Sequence, residues 1–218
     1  VERLNMTLKT DSTIKVWYPM NEGSGTTVYD YSGNSNNGSA SNVTLFKSKN
    51  GKGTNSFNGS SSGITLSSNP SLLTSFSVCF WAKPVADIGM IFAKDAGSIN
   101  SDIQYRVNCW DFAFHFELGN TANARYRAST IEYVLFGTWY FVVSTFDSST
   151  GAMKIYLNGL ESGTATFTGT RVSNDSPTYI GRRHNGVYYN GQLKDFMLFE
   201  KVLTLNEIKD LYKQTYIE

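Results

Sequence analysis

Charge is scarce in this chain. Only 17% of its 218 residues are Asp, Glu, Lys or Arg, against the usual quarter, and they nearly cancel to a formal net charge of +1. With no basic run and no acidic tail, nothing draws the chain to a nucleic acid backbone. No apolar stretch reaches transmembrane length, so no insertion into a membrane is expected. Cysteine is down to two residues. Cys79 and Cys109 permit one disulfide or two buried thiols, which leaves the redox compartment open. The two histidines stand without clustered cysteine or carboxylate, which argues against a zinc site. The opening VERLNMT is not a signal peptide, and the expectation is a processed or excised module of a longer polypeptide.

What is present is apolar and aromatic: 40% hydrophobic residues, with 14 Phe and 13 Tyr. Ser, Thr, Asn and Gly take the place of charge. Such a surface suits an exported, extracellular or surface-exposed protein that hydrogen-bonds neutral polymers, and also many short strands joined by turns. The length fits one large β-sandwich domain over residues 1–218.

The hydrophobic period is two almost throughout. Phe76, Val78 and Phe80 alternate with Ser77, Cys79 and Trp81; Ile103, Tyr105 and Val107 alternate with Asp102, Gln104 and Arg106. Phe112, Phe114, Phe116 and Leu118 alternate with Ala113, His115 and Glu117. Each pattern is that of a strand with one face in a core. The run from Trp139 to Phe146 is apolar on both faces and predicts a central strand covered on both sides. Between the runs lie turns: Asp147 to Gly151, then Asn158-Gly159, whose residues supply the two positive φ angles of a type I′ hairpin. One helix is signalled near the C-terminus, where Thr204 and Glu207 form a capping box and Ile208, Leu211 and Tyr212 share a face.

In order, these marks resemble a family. Trp17 with Asn21-Glu22-Gly23-Ser24-Gly25 opens the match, and Asp30-Tyr31-Ser32-Gly33-Asn34 and Phe57-Asn58-Gly59 follow. Phe76 to Trp81, Lys154 to Gly159, Tyr179-Ile180-Gly181, Gly191 to Asp195 and the closing helix complete it. Over about residues 14 to 213 the chain is similar to a laminin-G-like jelly roll of the concanavalin A-like lectin and glucanase superfamily. The resemblance implies an all-β fold: two stacked antiparallel sheets in a jelly-roll sandwich, with a short C-terminal helix. It does not select a function, since the family includes lectins, enzyme-appended modules, adhesion domains and virion components.

Two constellations could carry function. The loop from Asp30 to Gly38 offers one carboxylate and several amide oxygens, with Asn34 and Asn36 as candidates for a hard cation. The resemblance implies Asp195 as the second carboxylate and a structural calcium as the cofactor. The same loop also reads as Asx turns, in which Asp and Asn bond their own backbone. The second constellation is a sheet face. Opposite the core residues, three consecutive segments present Gln104, Arg106, His115, Glu117, Arg125 and Arg127, with Trp110 at the turn between two of them. Planar multi-donor side chains beside an aromatic plate suit a glycan or polysaccharide, and the concentration of Arg favours an anionic one. His184 and Tyr188 add candidates from a loop. Such a face is also what cross-strand ion pairs produce, Glu117 with an Arg among them. Substitution at Arg106 or Glu117 is expected to spare the fold.

Enzyme readings are weaker. No strand-like run carries paired Asp or Glu at i and i+2, so a glycosidase pair would have to be assembled across strands. Gly59-Ser60-Ser61-Ser62-Gly63 fits a nucleophile pattern formally, without the helix that such an elbow requires. The expectation is a non-catalytic carbohydrate-binding module of a larger extracellular protein. The alternative is a structural or adhesive module of a virion or cell surface that engages protein partners.

Overall fold

The computed structural model describes residues 11–47, 53–70, 72–97 and 99–216; the ends of the expected 1–218 domain lie outside the described residues. In chain order the strands begin with β1 (Ile14–Tyr18), β2 (Thr27–Val28), β3 (Gly38–Ser41), β4 (Thr44–Lys47), β5 (Gly53–Asn58) and β6 (Gly63–Leu66). Next come β7 (Phe76–Pro84), β8 (Gly89–Asp95), β9 (Ile103–Trp110), β10 (Ala113–Gly119) and β11 (Arg125–Ser129). The series ends with β12 (Tyr140–Phe146), β13 (Ala152–Leu157), β14 (Leu160–Thr166), β15 (Thr178–Ile180) and β16 (Asn190–Phe199), and helix α1 (Leu205–Thr215) follows.

They form two antiparallel eight-stranded sheets. The first runs β14-β13-β12-β7-β16-β5-β4, with β1 also on β16; the second runs β11-β10-β9-β8-β15-β6-β3-β2. Strand β16 is divided at Asp195, where φ is 49°: Asn190 to Leu193 pair with β5, and Phe196 to Phe199 pair with β1.

Alternation fixes which side chains meet between the sheets. Phe76, Val78 and Phe80 from one sheet face Tyr105, Val107, Phe114, Phe116 and Leu118 from the other in a single apolar core. Strand β12 is buried on both faces because α1 covers the outer side of its sheet. There Trp17, Trp81, Phe141 and Phe199 pack against Ile208 and Leu211, and Trp81 Nε1 donates to Thr215 Oγ1 at 2.8 Å. The capping box forms as expected: the Thr204 amide donates to Glu207 Oε2 at 2.7 Å, and the Glu207 amide donates to Thr204 Oγ1 at 3.3 Å. Cys79 lies in this outer cluster and Cys109 in the central core, on different sheets, and both are free thiols. Burial pushes the Cys109 thiol up to about 12, so it stays protonated and unreactive.

Both tight hairpins are type I′. Asn158-Gly159 has φ of 52° and 83°, as its sequence predicts. Asp111-Phe112, with φ of 49° and 56°, joins β9 to β10 without a glycine. Phe112 is therefore a turn residue and not the first core residue of β10, which corrects the alternation expected from Phe112 onward. Its side chain stacks on Tyr133 at 4.6 Å and on Phe136 at 5.2 Å, outside the core.

Candidate functional site

The outer face of the second sheet carries the candidate residues, and register places them side by side. Glu117 of β10 is directly opposite Arg106 of β9 and Arg127 of β11, and Gly119 is opposite Arg125. Odd positions of β9 and even positions of β10 fill the core, so the remaining side chains project to this face, as alternation predicts. Burial departs from expectation. Glu117 is 0% exposed, and Gln104, Arg106 and His115 are buried as well.

Glu117 is the hub. Arg106 Nε donates to Glu117 Oε2, Arg127 Nε donates to Oε1, and Arg125 Nη1 stands 3.8 Å from Oε1. A second buried carboxylate, Asp95 at the end of β8, takes Arg106 Nη1 at 3.0 Å and Arg183 Nη2 at 3.5 Å. One guanidinium thus bridges two buried acids, and three more, from Arg125, Arg127 and Arg183, close the network from the sides. Burial alone would raise the Glu117 carboxyl; the charge and hydrogen bond of Arg106, with Arg127 and Arg125, more than offset this and hold it below the usual range. The cross-strand ion pairs are therefore real, and the expectation that Arg106 and Glu117 are expendable to the fold is corrected. Removing either strips a buried charge of one of its partners.

Around this network lies a cavity of about 340 Å³, within the range of ligand sites. Its wall includes Arg106, Glu117, Arg125 and Arg127, with Trp110 and Asp111 from the strained hairpin. Trp110 is 48% exposed, and the Arg125 and Arg127 side chains are 40% and 36% exposed. These three are the groups a ligand could reach; Arg106 is spent between its two acids. His115 does not line the cavity. It sits beneath the rim, with Nε2 against the Trp110 carbonyl and Nδ1 against the Ser129 hydroxyl at 2.7 Å. Gln104 is wholly buried and is also absent from the wall.

The loop between β15 and β16 borders the cavity through residues other than those expected. Gly181 opens it at φ 80°, and a Cβ there would stand 2.2 Å from the Phe57 ring, so only glycine fits. The following residues fold back, and Arg183 and Val187 face the cavity. His184 is exposed beyond it, and Tyr188 pairs with Arg182, whose guanidinium lies 5.5 Å from its ring. Neither lines the wall. Asp95 and Arg183 were the residues missed. A faint signal existed for the first: Gly89 to Ala93 is a short apolar run, as buried strands often read, with Lys94 and Asp95 at its end.

The Asp30 loop is held by its own groups and by the backbone of β1. Asp30 Oδ1 accepts from the amides of Trp17 and Ser32, both at 2.9 Å; Oδ2 accepts from Ser32 Oγ at 2.8 Å and from the Asn36 amide at 2.9 Å. All four of its acceptor positions are taken. Asn34 and Asn36 turn their NH₂ groups onto the Ile14 and Lys15 carbonyls, and Asp195 pairs with Lys194 at 3.0 Å. Among the described residues no group of three His, Cys, Asp or Glu could hold a metal. This arrangement fits an Asx-turn loop and does not fit the implied calcium shell.

Comparison with known proteins agrees with the architecture. Residues 58–209 match the family described as the Concanavalin A-like lectin/glucanases superfamily. The chain is 26% identical over 153 residues to the pentraxin-related protein PTX3 of Bos taurus, covering 65% of this chain and 39% of that protein. The botulinum neurotoxin serotype D binding domain shares its fold at a TM-score of 0.72 and 20% identity, over 93% of this chain and 52% of that one. The binding domain of Paraclostridial Mosquitocidal Protein 1 superposes at 0.73 with 16% identity, over 95% and 53%. A botulinum neurotoxin type C structure, whose cell entry depends on two ganglioside molecules, superposes at 0.74 with 18% identity, over 97% and 53%. The chain spans about half the length of these structures and 39% of the pentraxin-related protein.

Proposed function

Since the chain belongs to the concanavalin A-like lectin/glucanase superfamily, we propose that it is a non-catalytic recognition module of a longer, extracellular or cell-surface protein, and that its arginine-lined cavity holds an anionic glycan. The observation that carries this is the pairing of a half-exposed indole, Trp110, with two half-exposed guanidiniums, Arg125 and Arg127, on one cavity wall. An indole face takes the C–H side of a sugar ring, and guanidinium forks match a carboxylate or sulfate. The wall carries four arginines against Asp111 and Glu117, so its balance is cationic. The cell-entry role of gangliosides for the type C neurotoxin lends support from a protein of the same fold.

Catalysis has no place in this reading. A glycosidase needs a carboxylic acid that is protonated near neutral pH. Glu117 is held ionised by guanidiniums on both sides. A glycan array with soluble protein tests the proposal: sulfated or uronic and sialic acid-bearing glycans should be retained, and neutral ones should not. Equal retention of neutral glycans, or of none, would overturn it.

A second reading, adhesion to a protein partner at a cell or virion surface, is favoured by one observation. Beside the cavity, the segment after β11 exposes Ile131, Tyr133, Leu135 and Phe136, with Ile131 84% and Tyr133 62% exposed. Apolar side chains grouped in this way suit a protein contact. Replacing Tyr133 and Phe136 by Ser separates the two readings, because it should abolish adhesion and leave glycan retention intact.

A further inference from the structure

At the other end of the sandwich, about 20 Å from the Trp110 hairpin by the length of β12, one buried cation has no counter-ion among the described residues. Arg171 follows β14 in the connection to β15, and its backbone is fixed by a bridge to Asn120. Its guanidinium enters between the sheets, with its carbon 4.6 Å from the Phe146 ring centre, 5.6 Å from Phe167 and 5.7 Å from Phe76. Nη2 donates to the Gln104 carbonyl at 2.7 Å, whereas Nε and Nη1 are buried with no hydrogen-bond acceptor. Among the described residues no carboxylate acts on it, and the nearby Tyr105 hydroxyl, raised by its own burial, is uncharged at neutral pH. Burial pushes the group down to about 10, which still leaves it charged at neutral pH.

A buried, hydrogen-bond-deficient cation is costly unless something compensates it. The aromatic faces do so in part. What remains is a positive charge set in the wall of the cleft that Arg171 lines, a cavity of about 530 Å³. Leu73, Phe146 and Phe167 give that cleft an apolar floor, and Ser148, Thr150 and Thr170 stand at its edge.

We propose that this cleft is a second binding site, for an aliphatic monocarboxylate. The acid would lie toward Arg171 and the edge hydroxyls, with its hydrocarbon against Phe146, Phe167 and Leu73. A single cation with neutral hydroxyls suits one negative charge, and the apolar floor suits a body that a bare inorganic anion lacks. The site shares no residue with the Trp110 cavity, so neither proposal depends on the other.

Nuclear magnetic resonance titration of the folded chain with hexanoate and with hexanol, its uncharged counterpart, tests this. Hexanoate should shift the amides of Gly151, Gly169 and Thr170 with a dissociation constant on the order of millimolar, and hexanol should bind at least about tenfold more weakly. Arg171→Met keeps an apolar chain over the rings and should erase the difference. Equal binding of acid and alcohol by the unaltered chain, or shifts at the Trp110 hairpin alone, would overturn the site. This first arm decides even if Arg171→Met fails to fold.

Discussion

His115 holds the backbone beneath Trp110: its Nε2 lies 2.9 Å from the Trp110 carbonyl oxygen. A carbonyl only accepts, so Nε2 carries the proton and Nδ1 faces the Ser129 hydroxyl. Burial, with Arg127 nearby, keeps the imidazole below its usual range and hence neutral, despite the pull of the carbonyl and of Glu117. The ring is thus a brace for a hairpin whose turn residues, Asp111 and Phe112, both have positive φ. Ligand would meet Trp110, not His115.

Truncating the plate separates binding from folding. Trp110→Ala should lower affinity for the retained glycan by about ten- to thirtyfold, or roughly 1–2 kcal/mol, with little change in melting temperature. Isothermal titration and a thermal melt check both halves. An unfolded variant would mean that the indole supports the core; undiminished binding would place the sugar elsewhere.

Glu117→Gln should do the reverse of what a sheet-surface residue would do. Removing one partner of a buried charge network costs about 3–5 kcal/mol. For a chain of this size that corresponds to roughly a 10 °C fall in melting temperature. Arg127→Ala, at a half-exposed position, should cost far less stability and more affinity. A Glu117→Gln protein that melts like the parent would contradict the hub.

Acid should destabilise in two stages. Both His115 and Glu117 have folded-state values below their ordinary ones of 6.5 and 4.5, so the unfolded chain binds protons more readily. The contribution of His115 is whole above about pH 6.5 and is lost as pH falls further; that of Glu117 is whole above about 4.5 and is lost below it. Urea unfolding at about pH 7.5, 5.5 and 4 reads both. His115→Gln should flatten the first interval only, and a first interval that is steep in the variant would refute the assignment.

Chelation should have no effect. With four hydrogen bonds already on the Asp30 carboxylate, EDTA should leave the melting curve unchanged. A drop of several degrees, reversed by added calcium, would restore the metal reading for Asp30 and Asp195.

Sequence periodicity was a good guide to the sheet because burial on one face is a local property of each strand. It assigned Tyr105, Phe114 and Phe116 to the core and Arg106, Glu117 and Arg127 to the opposite face, and the residues lie there. It failed where the answer depends on what returns to that face later in the chain. Arg183 arrives from a loop nearly 80 positions after Arg106, and Asp95 from a strand with no alternation to mark it. Without those two, Arg106 looked free to bind ligand. Phe112 was misplaced for a different reason: Asp-Phe carries none of the glycine that usually announces a type I′ turn.

The two outer faces of this sandwich are unlike. One is sealed by α1, and the other holds the arginines and Trp110. A glycan held at Trp110 would therefore approach from one side, as toward a tile with a glazed face and a backing. Copies displayed with their helices toward a common support would all direct their cavities outward. Second and later contacts would then form at an effective concentration on the order of millimolar, and joint attachment could exceed a single contact by about a hundredfold or more. A shallow cavity that grips one sugar weakly can, in such an array, hold a whole surface.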